Sequence, residues 1–276
     1  MRYATLPSGE KVPALGQGTW MMGEDAGKRT AEIAALREGI DLGASLIDTA
    51  EMYGDGRTET LVGQAIEGRR ERVFLVSKAY PQNSGRRSLP VACERSLGRL
   101  GTDRIDLYLL HWRGGVPLAE TIEAFAKLQS EGKIRHWGVS NLDVDDMQEL
   151  EASGGAACAT NQILYNLSRR GPEFELLPWL AERHIPAMAY SPIEQGRLPR
   201  TGALADVARA CGATPYQVAL AWTMRRGDVI AIPKASKSQH VRENIGALDV
   251  KLDATHLAAL DAAFPPPRRK TALDML

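Results

Sequence analysis

Residues 44–56 read Ala-Ser-Leu-Ile-Asp-Thr-Ala-Glu-Met-Tyr-Gly-Asp-Gly. Leu46 and Ile47 make a short apolar run that suits a buried strand, and Asp48 stands where that strand gives way to a loop. Tyr53 follows, and the two glycines Gly54 and Gly56 mark a tight connection before Arg57–Glu59 resumes a helical pattern. A carboxylate and a phenol therefore share one strand-to-helix connection. In a parallel α/β protein those connections are where ligands bind. Read alone the stretch stays ambiguous, because Asp and Tyr are common in turns: Asp48 could cap the loop and Tyr53 could leave its hydroxyl in water.

Two further segments extend the pattern. Val73–Lys78 reads Val-Phe-Leu-Val-Ser-Lys and Ile105–His111 reads Ile-Asp-Leu-Tyr-Leu-Leu-His, each an apolar run ending in one titratable residue. Strands are predicted at Leu15–Thr19, Leu46–Asp48, Val73–Ser77, Ile105–Leu110, Ile134–Ser140, Ala159–Ile163, Ile185–Tyr190 and Val229–Pro233. Between them, spacings of three and four, as in Leu118, Ile122, Phe125 and Leu128 or Cys93, Leu97 and Leu100, predict amphipathic helices. Asp143 suits a helix N-cap; a divalent cage of Asp143, Asp145 and Asp146 lacks the ligands to complete it, and no metal site is predicted.

Repeated β-α units over 276 residues fit one (β/α)8 TIM barrel domain spanning 1–276. A doubly wound dinucleotide fold would bring a Gly-x-Gly-x-x-Gly turn, and the run from Gly16 and Gly18 fails it at Met21. Those glycines instead let a strand approach another backbone. Two short segments about Ser8-Gly9 predict an N-terminal β-hairpin able to plug one barrel end. At the other terminus a short helix, Ala254–Phe264, is followed by a basic tail, Pro265–Lys270, read as a solvated end.

Composition narrows the function classes. With 44% hydrophobic and 25% charged residues the chain reads as a soluble globule. Lys plus Arg and Asp plus Glu number 34 each, so there is no bulk charge to favour nucleic acid or an anionic membrane. No apolar run approaches the roughly 20 residues needed to span a bilayer, and the first residues lack the apolar core of a signal peptide. Cys93, Cys158 and Cys211 show no metal or redox spacing, which suits a reducing cytoplasm.

On a barrel, Asp48, Tyr53, Lys78 and His111 come from three adjacent strand ends at the C-terminal face. Each has a dull alternative, a loop cap, a snorkelling lysine or a satisfied core histidine, but together they form an acid-base unit. A Lys ammonium about 4 Å from a phenol favours the phenolate by roughly 4 kcal/mol at an effective dielectric of about 20, which is expected to bring Tyr53 towards its working pH. Asp48 would hold Lys78 charged, and His111 would orient a carbonyl oxygen. Such a unit delivers a proton but no hydride, so a carbonyl reductase needs a nicotinamide cofactor. Ser140, Asn141 and Gln162 at later strand ends could hold a carboxamide, and the Tyr190 ring could stack on nicotinamide.

These residues, with their neighbours, resemble the aldo-keto reductases: Leu-Ile-Asp48-Thr-Ala-Glu-Met-Tyr53-Gly, Val-Ser-Lys78, Leu-Leu-His111-Trp, Gly-Val-Ser140-Asn141, Asn-Gln162, Ala-Tyr190-Ser-Pro and Ile-Pro-Lys234 through Glu243-Asn244. The resemblance runs from the hairpin to about Asp249. It implies a catalytic tetrad of Asp48, Tyr53, Lys78 and His111. It also implies NADPH contacts from Ser140, Asn141, Gln162, Tyr190, Lys234 and Asn244, and an apolar substrate wall at Trp20; Thr19, Ser191, Ser236 and His240 join them as candidate cofactor contacts, and Trp112 as a candidate for the substrate wall. Met21, Met52 and Tyr80 are further candidates for an apolar mouth. The implied activity is reduction of a small carbonyl substrate, methylglyoxal among the short aldehydes; a cytoplasmic location is expected from the cysteines, and a monomer is the default expectation.

The chain departs from the family pattern in two regions, the segment after Lys234 and the exits of the barrel. Ala235 follows Lys234 where the NADPH-preferring pattern carries Ser or Thr, and His240 replaces an Arg whose planar fork it cannot reproduce. With Ser236 or Lys237 compensating, NADPH is expected over NADH by a reduced margin that grows as pH falls through the histidine range. Glu194 stands where a small Gly is common, in a loop expected to fold over the cofactor. The short stretch beyond Asp249 predicts an open pocket. Two other functions fit the same residues: a Schiff-base aldolase with Lys78 as nucleophile, and a sensor that binds NADPH without appreciable turnover.

Overall fold

Eight parallel strands run in chain order around one ring in the computed structural model, which describes residues 1–276. A hairpin of β1 (Tyr3–Thr5) and β2 (Lys11–Pro13) precedes them, turning at Gly9, whose φ of 86° suits a residue without a Cβ. The ring comprises β3 (Gln17–Gly18), β4 (Leu46–Asp48), β5 (Phe74–Ala79), β6 (Ile105–Leu110), β7 (Ile134–Ser140), β8 (Asn161–Leu164), β9 (Ala187–Tyr190) and β10 (Val229–Ala231). Parallel bridges from Leu15 to Ala231 and from Gly18 to Lys234 close β3 onto the β10 side. Closure is tight: a Cβ on Gly18 would lie 2.7 Å from the Ile232 carbonyl oxygen, and one on Gly16 2.6 Å from Leu46 Cδ2. The two glycines therefore serve the close backbone approach expected of them.

Alternation along the strands sorts the side chains. Leu46, Phe74, Val76, Leu107, Leu109, Met188 and Ile230 fill the barrel interior, and Ala4, Leu6 and Val12 of the hairpin pack against them, so the hairpin plugs the end where the strands begin. Their sequence neighbours Ile47, Leu75, Tyr108, Leu110 and Ala189, with Ile163 of β8, face outward into the larger core beneath the helices. Period two carries the inward face onward from Leu46 to Asp48, from Phe74 and Val76 to Lys78, and from Leu107 and Leu109 to His111. A polar layer thus caps the apolar layers of the barrel at the ends of the strands.

The helices are α1 (Arg29–Asp41), α2 (Arg57–Ile66), α3 (Ser88–Leu100), α4 (Leu118–Ser130), α5 (Val144–Ala152), α6 (Leu176–Glu182), α7 (Ala203–Ala210), α8 (Pro215–Thr223), α9 (Ser238–Gly246) and α10 (Ala254–Ala263). In α4, Leu118, Thr121, Phe125 and Leu128 are buried at spacings of three and four, while Ile122 is partly buried. Asp143 and Asp146 form a capping box at the start of α5, with Asp143 Oδ1 accepting from the Asp146 N–H at 3.0 Å. No helix is long and apolar enough to cross a membrane.

The basic stretch Pro265–Lys270 is largely exposed, as expected of a solvated end, but it is tethered, and the residues beyond it turn back onto the fold. Lys270 pairs with Asp145 at 3.4 Å and Glu175 at 3.3 Å, and Leu273 packs on the core. Met275 and Leu276 then reach the mouth of the barrel. The cation is held by acidic groups of α5 and of the residue before α6, so charge and apolar contact together lay the tail down.

Candidate active site

Lys78 is fully buried at the floor of the mouth, and each of its three ammonium hydrogens has an acceptor. Nζ donates to Asp48 Oδ2 at 2.8 Å, to the Thr49 carbonyl at 2.9 Å and to the Tyr53 hydroxyl at 3.2 Å. Tyr53 opens a short 3-10 turn, Tyr53–Gly56, in which Gly54, Asp55 and Gly56 all have positive φ and lead the chain into α2. The His111 ring stands edge-on to it, with centroids 5.9 Å apart. The four residues that the sequence singled out therefore meet at one point.

The electrostatics differ from expectation in one respect. Burial raises the Tyr53 pKa above its ordinary value, and with the nearby Asp48 carboxylate it outweighs the opposing Lys78 charge, so the phenol keeps its proton at neutral pH. Proximity to Lys78 alone had implied the reverse; the cost of burying the phenolate is what sequence distance cannot register. For Lys78, burial works against the charged form, but Asp48 and Tyr53 more than offset it and hold the ammonium. Burial, aided by Lys78, takes His111 down to about 2. Its Nδ1 is buried without a partner, which favours the tautomer with the proton on Nε2, since a stranded buried donor is rarer than a stranded acceptor.

Further hydrogen bonds hold these four residues in place. Gln162 Nε2 donates to Asp48 Oδ1 at 2.7 Å, and Thr19 Oγ1 donates to the Asp48 carbonyl at 2.8 Å. Asn141, at φ 59°, donates through Nδ2 to the His111 carbonyl and to Ser140 Oγ, both at 3.1 Å, and accepts from the Tyr190 hydroxyl at 2.9 Å. Ser140 Oγ donates in turn to the Gln162 carbonyl at 2.9 Å. The amides and hydroxyls are thus locked against one another as well as facing the mouth.

Above this floor opens a cleft of about 850 Å³, within the upper part of the range for small-molecule and cofactor sites. Asp48, Tyr53 and His111 line it, as do Thr19, Ser140, Asn141, Gln162, Tyr190 and Ser191. Lys234, His240 and Asn244 line it on the β10–α9 side, and Trp20 and Trp112 contribute aromatic wall. Lys78 lies beneath the lining. Ser236 is also outside it, with its hydroxyl 3.3 Å from Glu32 Oε1. Met21 and Met52 line the cleft, whereas Tyr80 packs edge-on against Trp112, 5.8 Å between centroids. A flat ring, amide and hydroxyl groups and a distant cation are a donor set suited to a nicotinamide dinucleotide.

The sequence reading missed Tyr216 and Gln217, at the start of α8, and the terminal Met275 and Leu276, all on the lining. Thr214-Pro215 is a helix-start signal that could have drawn attention to the first pair. The tail offered no such signal. Because Met275 and Leu276 stand at the mouth, the cleft is less open than the short C-terminal stretch implied.

A family profile described as Aldo/keto reductase family matches residues 14–264. Over 271 residues the chain is 54% identical to methylglyoxal reductase YeaE of Escherichia coli, covering 96% of this chain and 95% of that protein. It is 32% identical to a glyoxal reductase of Bacillus subtilis over 93% of this chain and 91% of the relative. Among solved structures, an aldo/keto reductase from Klebsiella pneumoniae in complex with NADP and acetate superposes with a TM-score of 0.97 at 52% identity, covering 100% of this chain and 99% of that one.

Proposed function

The chain belongs to the aldo/keto reductase family, and from that premise we propose that it reduces small aldehydes, methylglyoxal among them, to alcohols at the expense of NADPH. The observation that carries this reading is the contact of Lys78 Nζ with both Asp48 and Tyr53 beneath a dinucleotide-sized cleft. NADPH supplies the hydride that no side chain can carry. Tyr53, which holds its proton at neutral pH, passes it to the substrate oxygen as negative charge grows there. Lys78 stabilises the phenolate left behind, and solvent returns the proton. His111, neutral and protonated on Nε2, donates to the same oxygen and orients it. Trp20 and Trp112 give the substrate an apolar wall.

In the same reading Ser140, Asn141 and Gln162 would hold the carboxamide, the Tyr190 ring would take the nicotinamide, and Thr19 and Ser191 would flank the dinucleotide. Lys234, His240 and Asn244 would take the adenosine end, with Lys234 offering the 2′-phosphate a point charge. Ser236 would have to leave Glu32 to join them. NADH remains usable, at lower efficiency. The barrel acts as one domain and as a monomer in the reducing cytoplasm, in keeping with three unpaired cysteines, two of them buried.

A Schiff-base aldolase is not favoured, because all three N–H groups of the Lys78 ammonium are engaged and the amine is held protonated. Nor is a sensor without turnover, given the intact tetrad. NADPH consumption by the purified protein with methylglyoxal, an aromatic aldehyde and a ketone tests the proposal. Turnover with the aldehydes is expected. Tight NADPH binding without turnover would return the sensor, and a borohydride-trapped adduct on Lys78 would return the aldolase.

A further inference from the structure

The turn after β9 and the end of the chain meet through one side chain. Ser191, Glu194 and Gln195 have φ of 47°, 50° and 54°, left-handed values unfavourable for residues with a Cβ. Ser191, Pro192, Ile193, Gln195 and Gly196 line the cleft, whereas Glu194 turns inward and is 6% exposed. Its carboxylate accepts from Asn166 Nδ2 at 2.7 Å and from Arg169 Nη2 and Arg197 Nη2, each at 3.2 Å. Charge-assisted bonds onto one buried carboxylate hold the strained turn in place.

Arg169 has a second partner. Its Nη1 lies 3.4 Å from Asp274 Oδ2 in the C-terminal tail. The next two residues, Met275 and Leu276, line the cleft beside Tyr190 and Ser191. A guanidinium can face two carboxylates from different nitrogens, which the point charge of a lysine does less well.

We propose that Arg169 is a positioning residue that clasps the Ser191–Gly196 turn to the C-terminal tail, so that the order of the wall beside the cofactor depends on the strap over the substrate end. That the turn faces NADPH rests on the function proposed above; the clasp itself does not. Loosening the tail at Asp274 then loosens a turn that Asp274 does not touch. It also shortens the residence of NADPH and admits bulkier aldehydes.

Hydrogen exchange on the cofactor-free protein tests the clasp. Asp274→Asn is expected to raise exchange of the amides in 191–197 by roughly two- to fivefold, the span an exposed ion pair supports. The double substitution Met275→Ala/Leu276→Ala, which keeps the Arg169–Asp274 pair, is expected to leave those amides unchanged. In the loaded enzyme, Asp274→Asn should speed NADPH release by a similar factor and raise kcat/KM for an aromatic aldehyde relative to methylglyoxal. Unchanged exchange in Asp274→Asn overturns the clasp, whether or not NADPH binds. Failure of the unmodified protein to bind NADPH overturns the functional reading instead, and the exchange result still decides the clasp.

Discussion

Lys78 Nζ lies 3.2 Å from the Tyr53 hydroxyl, yet the phenol is harder to ionise than a free tyrosine. Burial outweighs the cation, helped by the Asp48 carboxylate 2.8 Å from the same ammonium. For a proton donor this is the useful direction. The folded pKa is raised, so the donor form persists through neutral and mildly alkaline pH. In the free enzyme, kcat/KM for aldehyde reduction should show no fall due to phenol ionisation below the ordinary tyrosine value, while alcohol oxidation, which needs the phenolate, should climb with pH. A reduction profile that collapses between neutrality and pH 9, about one unit below the ordinary tyrosine value, would oppose this.

Asp48→Asn leaves the buried Lys78 ammonium with neutral acceptors only and no counter-ion. Removing one member of a buried ion pair typically costs about 3–5 kcal/mol, so urea unfolding should show a loss of that order together with a large fall in kcat. Lys78→Met/Asp48→Leu, which removes both charges, should recover much of the stability and none of the activity. Equal destabilisation of the two variants would argue against an isolated-charge penalty.

His111 titrates near 2 in the fold against an ordinary value of 6.5. Between those values the unfolded chain carries a proton that the native state does not, so this contribution is fully present above 6.5 and is lost as pH falls. Its slope should approach about 1.4 kcal/mol per pH unit. Comparing unfolding free energies of the unmodified protein and His111→Gln across mildly acidic pH isolates it; parallel curves would rule it out.

The seam between β3 and β10 admits no side chain at Gly18. A Gly18→Ala Cβ, 2.7 Å from the Ile232 carbonyl oxygen, forces backbone apart. A loss of about 1–3 kcal/mol is expected in denaturant titrations, with lower NADPH affinity because Thr19 moves with the seam. Gly9→Ala, with open space around its Cβ but a φ of 86°, should cost less and leave NADPH binding alone.

His240 stands beside Lys234 on the cleft where the NADPH-preferring pattern carries Arg. Arg242 cannot readily substitute, because it is paired with Glu38. His240→Arg should therefore raise the ratio of kcat/KM for NADPH over NADH by about two- to tenfold, equivalent to roughly 0.5–1.4 kcal/mol, and His240→Ala should lower it. An unchanged ratio in both variants removes His240 from cofactor selection.

The barrel was legible because each strand is short, apolar and ended by a polar or glycine signal, and because β-α alternation leaves few topologies. Boundaries moved where pairing decides them: β5 runs through Lys78 to Ala79, and β8 begins at Asn161 instead of Ala159. Contacts set by long-range geometry were not legible. Gln162 reaches Asp48 across 114 positions. Nothing in the run Pro265–Leu276 is periodic, so its course over the mouth depends on Lys270, Leu273 and Asp274 finding partners that sequence does not name. Glu194 was visible as a departure, but its inward turn onto Arg169 follows from left-handed backbone that no local pattern announces.

Single-turnover reduction of methylglyoxal by Tyr53→Phe, with NADPH binding measured on the same preparation, addresses the central assignment most directly. A fall in the chemical step of about 10²–10⁴, the usual contribution of general acid catalysis, with NADPH affinity within about twofold of the unmodified protein, is the predicted result. Chemistry that proceeds at an undiminished rate without the phenolic hydroxyl would contradict it.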